Sequence, residues 1–335
     1  MSKANRVTGT GGELLMHQLV AQGVEYAFTN TGSAEAGFFD AFLTVPGVQP
    51  ILLLNESLVL SAADAYARVT RKASFVNVHL AAGTRQGSGQ LFNANFDGTP
   101  MVVTAAMRDN GSFGDHSTLG VSSGHAQINT VADVTKNRWE VRDARGVPMA
   151  TRRAFKEALT MPTGPVYLAF SGEALDAKEV EAVIQPGEAV ATAEHPQAAS
   201  LAAIHDALLN AENPLLVVGP DVATARAQRD LLELVENYAL PVAINFFDYS
   251  SFPPTHANHV GMVDPRRSFL LPAGIVVSFQ PREDMPRHVP HVRDGRQRLA
   301  ASRCRRHGRL RAFVVPQMNA VVMRRMHRFD GEHLL

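Results

Sequence analysis

Through the first 170 residues, short apolar runs rich in branched side chains alternate with stretches whose apolar positions recur at helical spacing. Leu14, Leu15, Leu19 and Val20 share one helix face, and Gly23 follows as a C-terminal stop. Val24, Tyr26 and Phe28 alternate as a strand does, and Ile51 to Leu54 read as a second strand feeding a helix that runs through Arg68. Ser74–Leu80 is a strand, Leu91 and Phe92 lie on a helix, and Met101–Met107 is a strand again. A helix over Arg152–Leu159 and the strand Val166–Phe170 close the series. Strands apolar on both sides and separated by helices predict a parallel sheet covered on both faces. Glu56 is then expected at the carboxyl end of a strand.

The rhythm lapses over residues 179–200, where Pro186, Gly187 and Pro196 suggest a linker. It resumes with a helix over Leu201–Leu209 and the strand Leu215–Val218. A helix around Leu231–Val235 and strands at Val242–Ile244 and Ala273–Phe279 follow. After Pro281 the sequence becomes rich in Arg, His and Pro, with one short apolar break at Phe313-Val314-Val315. The expected fold class is α/β, with two doubly wound parallel-sheet domains and a basic irregular C-terminal tail. The expected bounds are 1–178 for the first domain, 179–200 for the linker, 201–280 for the second domain and 281–335 for the tail.

Composition narrows the function classes. A hydrophobic share of 45% in 335 residues suits globular domains rather than a disordered chain. No run approaches the roughly 18 apolar residues of a membrane-spanning helix, and no secretory h-region is readable at the N-terminus. The single Cys304 excludes an internal disulfide and a Cys-based zinc site, which fits the cytoplasm. The formal net charge is zero, yet residues 266–335 hold 15 Arg, no Lys and 5 acidic residues. That excess of ten positive charges is matched by an equal negative excess upstream. A nucleic-acid partner is disfavoured, because the basic stretch lacks interleaved aromatics and any recognisable module.

Three segments carry candidate chemistry. Asn55-Glu56-Ser57 precedes Ala62-Ala63-Asp64-Ala65-Tyr66-Ala67-Arg68. Glu56 is either a carboxylate stabilised by a helix N-terminus or a functional acid at a sheet's ligand-binding edge. His79, in Val78-His79-Leu80-Ala81-Ala82-Gly83-Thr84, reads by itself as a bonded core histidine at a strand end. Ser33, in Thr29-Asn30-Thr31-Gly32-Ser33-Ala34-Glu35, reads by itself as a helix N-cap with Gly before it. His116 reads as a solvated loop residue.

These segments together resemble the thiamine-diphosphate-dependent 2-oxo-acid enzymes, of the benzoylformate decarboxylase and acetolactate synthase type. The Glu…Tyr-Ala-Arg spacing, the His-x-Ala-Ala-Gly-Thr run with Phe92-Asn93-Ala94 and Thr99 to Ala105 beyond it, and the Gly-Ser-x-Glu turn all match. Asn55 stands where the family usually has His, Ala65 where it has Gly, and Thr31 where it has Pro. The resemblance implies that residues 1–178 bind the cofactor's pyrimidine and that 201–280 form an incomplete central domain, which binds FAD or ADP in some members. No Gly-x-Gly-x-x-Gly follows its strand here.

It further implies that Glu56 hydrogen-bonds the aminopyrimidine N1′ and is catalytic. His79 would be catalytic as a proton donor or acceptor, Ser33 would contact the substrate carboxylate, and Gly32 and Gly83 would adjoin the cofactor. Thiamine diphosphate with Mg²⁺, a 2-oxo-acid substrate and a homo-oligomer formed through the N-terminal domain are implied. The family holds the diphosphate and metal through Gly-Asp-Gly and a later Asn-Asn, and neither motif occurs in these 335 residues. The resemblance covers about residues 10–280. The expectation is therefore a chain truncated before the diphosphate-binding domain, with an Arg-rich, Lys-free tail of the kind GC-rich DNA yields when read off-frame. Such a chain is expected to be inactive alone; the alternative is a non-catalytic fragment or subunit-interaction module.

Overall fold

The computed structural model describes residues 5–30, 32–107, 121, 126–187, 197–211, 214–245, 251–263, 275–279 and 311–315. It divides into two compact units, residues 1–192 and 193–335.

The first unit contains β1 (Asn5–Gly9), α1 (Gly11–Ala21), β2 (Tyr26–Thr29), α2 (Ala36–Thr44), β3 (Gln49–Leu52) and α3 (Glu56–Thr70). It continues through β4 (Ser74–Val78), α4 (Leu80–Gln86), α5 (Ser88–Asp97), β5 (Met101–Met107), β6 (Asn137–Val141) and α6 (Val147–Leu159). It ends with β7 (Pro165–Ser171), α7 (Gly172–Asp176) and β8 (Val180–Ile184). Six strands form a parallel sheet in the order β3-β2-β4-β5-β7-β6.

Strands β4, β5 and β7 are buried at every position, and alternate residues serve two cores. Phe75, Val102, Val166, Leu168 and Phe170 pack with Leu15 and Leu19 of α1, Phe38 of α2 and Phe155 of α6. Val76, Val78, Val103, Ala105, Tyr167 and Ala169 pack with Val59 and Leu60 of α3 and Leu91 of α5. Period-two side chains that are apolar on both faces require helices on both faces. Helix starts are specified locally. Thr10 and Glu13 form a capping box at α1, each side chain bonding the other's backbone N–H at 3.1 and 2.8 Å. The Asn55 side chain caps α3 by accepting from Ser57 N–H at 2.9 Å.

The second unit contains α8 (Ala198–Leu209), β9 (Pro214–Val218), α9 (Asp221–Thr224) and α10 (Gln228–Tyr238). Strands β10 (Val242–Asn245), β11 (His259–Val263), β12 (Ile275–Phe279) and β13 (Arg311–Val315) complete it. Its five strands are parallel in the order β11-β10-β9-β12-β13. Leu216, Val218, Val242 and Ile244 pack there with Leu201, Ile204 and Leu208 of α8 and Leu231, Leu234 and Val235 of α10.

Two expectations are corrected. Val180–Ile184, expected within a linker, pairs antiparallel with β1 as β8. The alternation Val180, Ala182, Ile184 is a strand pattern in which Ala182 and Ile184 are buried. Arg311–Val315, expected in an irregular tail, is a parallel strand beside β12, so the second sheet extends past residue 280. Its apolar triplet Phe313-Val314-Val315 supplies the β-branched and aromatic residues a strand favours. The rest of 281–335 lies outside the described residues.

Candidate functional site

Parallel strands bring all their carboxyl ends to one edge of the sheet, where α/β proteins bind ligands. The expected site residues follow three of these ends: Gly32 and Ser33 after β2, Glu56 after β3, and His79 directly after β4. Glu56 is the first residue of α3, where its charge is favoured by the helix N-terminus. His79 is the N-cap residue of α4 but makes no side-chain capping bond.

Helix α4 joins the two. The Gly83 N–H donates to His79 O at 2.9 Å, so His79 and Gly83 are one helical turn apart. A methyl group at Gly83 would lie 2.7 Å from Glu56 Oε1, so the Glu56 carboxylate rests on the bare backbone of α4. At Gly87, one turn further, a methyl group would collide with Leu60 Cδ1. The Ser57 hydroxyl donates to Gln86 O at 2.8 Å and ties the start of α3 to the end of α4. Glu56 is half-buried, and its carboxylate has no hydrogen-bond partner among the described residues.

Glu35 is not singled out by the sequence alone, where the Gly-Ser-x-Glu turn is its only signal. It ends a single 3₁₀ turn, Ser33–Glu35, and its side chain is fully buried. Oε2 lies 2.7 Å from His79 Nδ1, while Oε1 accepts from the N–H of Ala106 at 2.9 Å and of Leu80 at 3.4 Å. Burial pushes the Glu35 pKa up, and the His79 and backbone bonds oppose the rise. Leu80 is held at φ +51°, an uncommon conformation for a branched residue. A methyl group at Gly32 would overlap the His79 ring, so Gly32 is the floor on which the imidazole lies.

Behind this pair the hydrogen bonds close a circuit. Thr84 Oγ1 donates to Leu80 O at 2.8 Å and lies 3.0 Å from Tyr167 Oη. Gln127 Nε2 donates to Tyr167 Oη at 2.9 Å and to Ala106 O at 2.7 Å. Tyr167 is entirely buried, and desolvation pushes its pKa up to about 12, so it serves as a neutral hydrogen-bonding group. Both Leu80 and Ala106 are thus held through their N–H by Glu35 and through their C=O by this chain.

Ser33 is exposed beside Gly32 and opens the 3₁₀ turn rather than capping it; Gly32 is the cap residue. His116 lies outside the described residues. Among the described residues no group of three or more His, Cys, Asp or Glu side chains converges as a metal site, and no helix is long and apolar enough to cross a membrane.

Comparison with known proteins gives this edge a context. The family described as "Thiamine pyrophosphate enzyme, N-terminal TPP binding domain" matches residues 9–132, and its "central domain" counterpart matches 201–268. Benzoylformate decarboxylase from Pseudomonas aeruginosa is 32% identical over 245 residues, covering 72% of this chain and 45% of that protein. The acetolactate synthase large subunit of Haemophilus influenzae is 26% identical over 263 residues, covering 76% and 44%. The chain therefore spans less than half the length of these two curated relatives. Among solved structures, a thiamine diphosphate-dependent 4-hydroxybenzoylformate decarboxylase from Rhodococcus jostii superposes with a TM-score of 0.75 at 25% identity. That match covers 95% of this chain and 62% of the other.

Proposed function

The chain belongs to the thiamine pyrophosphate enzyme family through its N-terminal and central domains, and from that premise we propose that it serves the decarboxylation or carboligation of a 2-oxo acid. The observation that carries this reading is the half-buried Glu56 carboxylate, without a partner among the described residues, lying on Gly83 one turn from His79. A carboxylate so placed is free to accept a hydrogen bond from an aminopyrimidine ring. Gly83 keeps the space below it clear, and Gly32 does the same beneath His79. Thiamine diphosphate, when bound, supplies the electron sink for cleavage next to a carbonyl. Glu56 is assigned the N1′ contact, His79 the movement of a proton at the reacting carbon, and Ser33 a hydrogen bond to the substrate carboxylate.

Mg²⁺ is implied by the family, but the described residues do not fit it: no acidic or imidazole cluster is present among them, so none is assigned to it. The sequence also holds neither Gly-Asp-Gly nor Asn-Asn. We therefore expect the 335-residue chain, assayed alone, to bind thiamine diphosphate weakly and to turn over no 2-oxo acid. One charged hydrogen bond contributes about 1.5–3 kcal/mol, against an association cost of roughly 4 kcal/mol or more. We assign the chain to the cytoplasm, whose reducing conditions suit a lone Cys304.

The test is a chemical-shift titration with thiamine diphosphate and Mg²⁺ into the millimolar range, paired with a CO₂-release assay on benzoylformate and pyruvate. The expected result is millimolar binding, weakened about fivefold or more in E56Q, the loss of roughly 1 kcal/mol. Equal affinity of E56Q and the native chain would remove Glu56 from the cofactor. Micromolar binding with Glu56-dependent turnover would keep the site and overturn the inactivity.

A further inference from the structure

We propose that Glu35 is a positioning residue which fixes the His79 imidazole in its Nδ1–H tautomer, so that the Nε2 lone pair is what the ring presents to the site. This rests on the reading of His79 as the proton carrier.

The donors that face Glu35 Oε1 cannot be reversed. Oε1 of Glu35 faces two backbone N–H groups, those of Ala106 at 2.9 Å and Leu80 at 3.4 Å. Backbone N–H groups only donate, so this oxygen only accepts. An ionised carboxylate is acceptor-only on both oxygens. With Glu35 ionised, His79 Nδ1, 2.7 Å from Oε2, carries the hydrogen. The other ring nitrogen has no partner among the described residues, and the side chain keeps 18% of its surface open. The hydrogen bond made by one ring nitrogen sets which nitrogen of the imidazole is reactive.

Everything around the pair is built to hold it still. Gly32 lies so close under the ring that a methyl group there would overlap it. Leu80, next in the chain, has both its N–H and its C=O bonded, to Glu35 and Thr84. Ala106 has the same two-sided restraint from Glu35 and Gln127. Gly32 crowds the imidazole, and Glu35 is its side-chain hydrogen-bond partner among the described residues. With neutral His79, Nε2 accepts a proton from a bound reactant. Once His79 is protonated, the same nitrogen returns it, with the buried carboxylate as counter-charge.

A glutamine at position 35 makes the opposite demand. Its carbonyl oxygen has to face the two N–H groups, which turns its NH₂ toward Nδ1. Nδ1 must then accept, and the hydrogen moves to Nε2. The E35Q substitution is therefore expected to switch the tautomer, a change that loss of packing alone would not produce.

The experiment is long-range ¹H–¹⁵N correlation of the histidine rings in the full chain without cofactor. It is run at about pH 8, where an ordinary imidazole is neutral. The His79 signals are identified by their disappearance in H79N. The native chain should show Nδ1 protonated and Nε2 with the shift of a bare lone pair, and E35Q should show the two reversed. A native spectrum with Nε2–H and an unprotonated Nδ1, meaning that Glu35 holds the proton, would overturn the proposal. So would an unchanged tautomer in folded E35Q. If E35Q does not fold, the native spectrum alone decides. None of these outcomes depends on cofactor binding, so failure here is distinguishable from failure of the Glu56 titration.

Discussion

Glu35 and Glu56 show how far environment separates two residues of the same type. Glu56 begins a helix at the sheet edge, half-buried, with no partner among the described residues. Glu35 has no exposed surface and holds three N–H groups. Its pKa is raised, chiefly by desolvation. A carboxyl whose folded pKa exceeds its unfolded one contributes stability that is full below the ordinary carboxylate range and is lost as pH rises through the raised value. Glutamine does not titrate and undergoes no such loss. The melting temperature of E35Q should therefore gain on that of the native chain as pH rises from about 4 to about 7. Thermal melts of both proteins across that range read the difference directly. A gap that stays constant or narrows would show that the three hydrogen bonds outweigh burial.

At the level of elements, the site depends on how closely helices approach. A methyl group at Gly87 would collide with Leu60 Cδ1, the far end of a side chain. At Gly12 in α1 the obstacle would be the Gly37 carbonyl of α2, which is backbone. Leu60 can yield by changing rotamer within its core, whereas α2 can yield only by moving as a helix. Overpacking of the first kind costs about 1–3 kcal/mol. G87A is expected in that range and G12A above it, as measured by urea denaturation of each variant. G87A should also loosen the α3–α4 contact that seats Glu56, so it should weaken thiamine diphosphate binding where G12A, if folded, leaves it unchanged. Equal destabilisation by the two would mean that α1 and α2 slide more freely than their contact suggests.

For the whole molecule, several of the exposed apolar side chains lie on or beside one packed pair of helices, α3 and α5. Leu58 on α3 and Phe92 and Phe96 on α5 are each more than half exposed, and Leu54 just before α3 is 90% exposed. Isolated exposed apolar residues are ordinary, but several on neighbouring elements beside a candidate site mark a surface that is covered in an assembly. We expect the chain to self-associate through this face. Sedimentation should show a species larger than a monomer at micromolar concentration. The double variant L58K/F92K should sediment as a monomer with an unchanged melting temperature. A native chain that remains monomeric would remove this face as an interface.

The doubly wound parallel architecture was readable without coordinates, because fully buried parallel strands leave a local record. Met101–Met107 and Val166–Phe170 are apolar at almost every position, and only a sheet covered on both faces accepts that. Glu56, His79, Gly32 and Ser33 were readable as candidates because each sits in a short motif with fixed spacing. β8 and β13 were not: each carries only a short strand-favouring run, and the Pro- and Arg-rich sequence around it points to irregular structure. Glu35 was hidden for another reason. A buried carboxylate is tolerated only where donors converge on it, and those donors come from His79, Leu80 and Ala106, 44 to 71 residues away in the chain. The sequence by itself determined the fold class and named candidate residues for chemistry. The tertiary structure alone decided which of them meet, because burial and hydrogen-bond satisfaction belong to the assembled fold and not to any one segment.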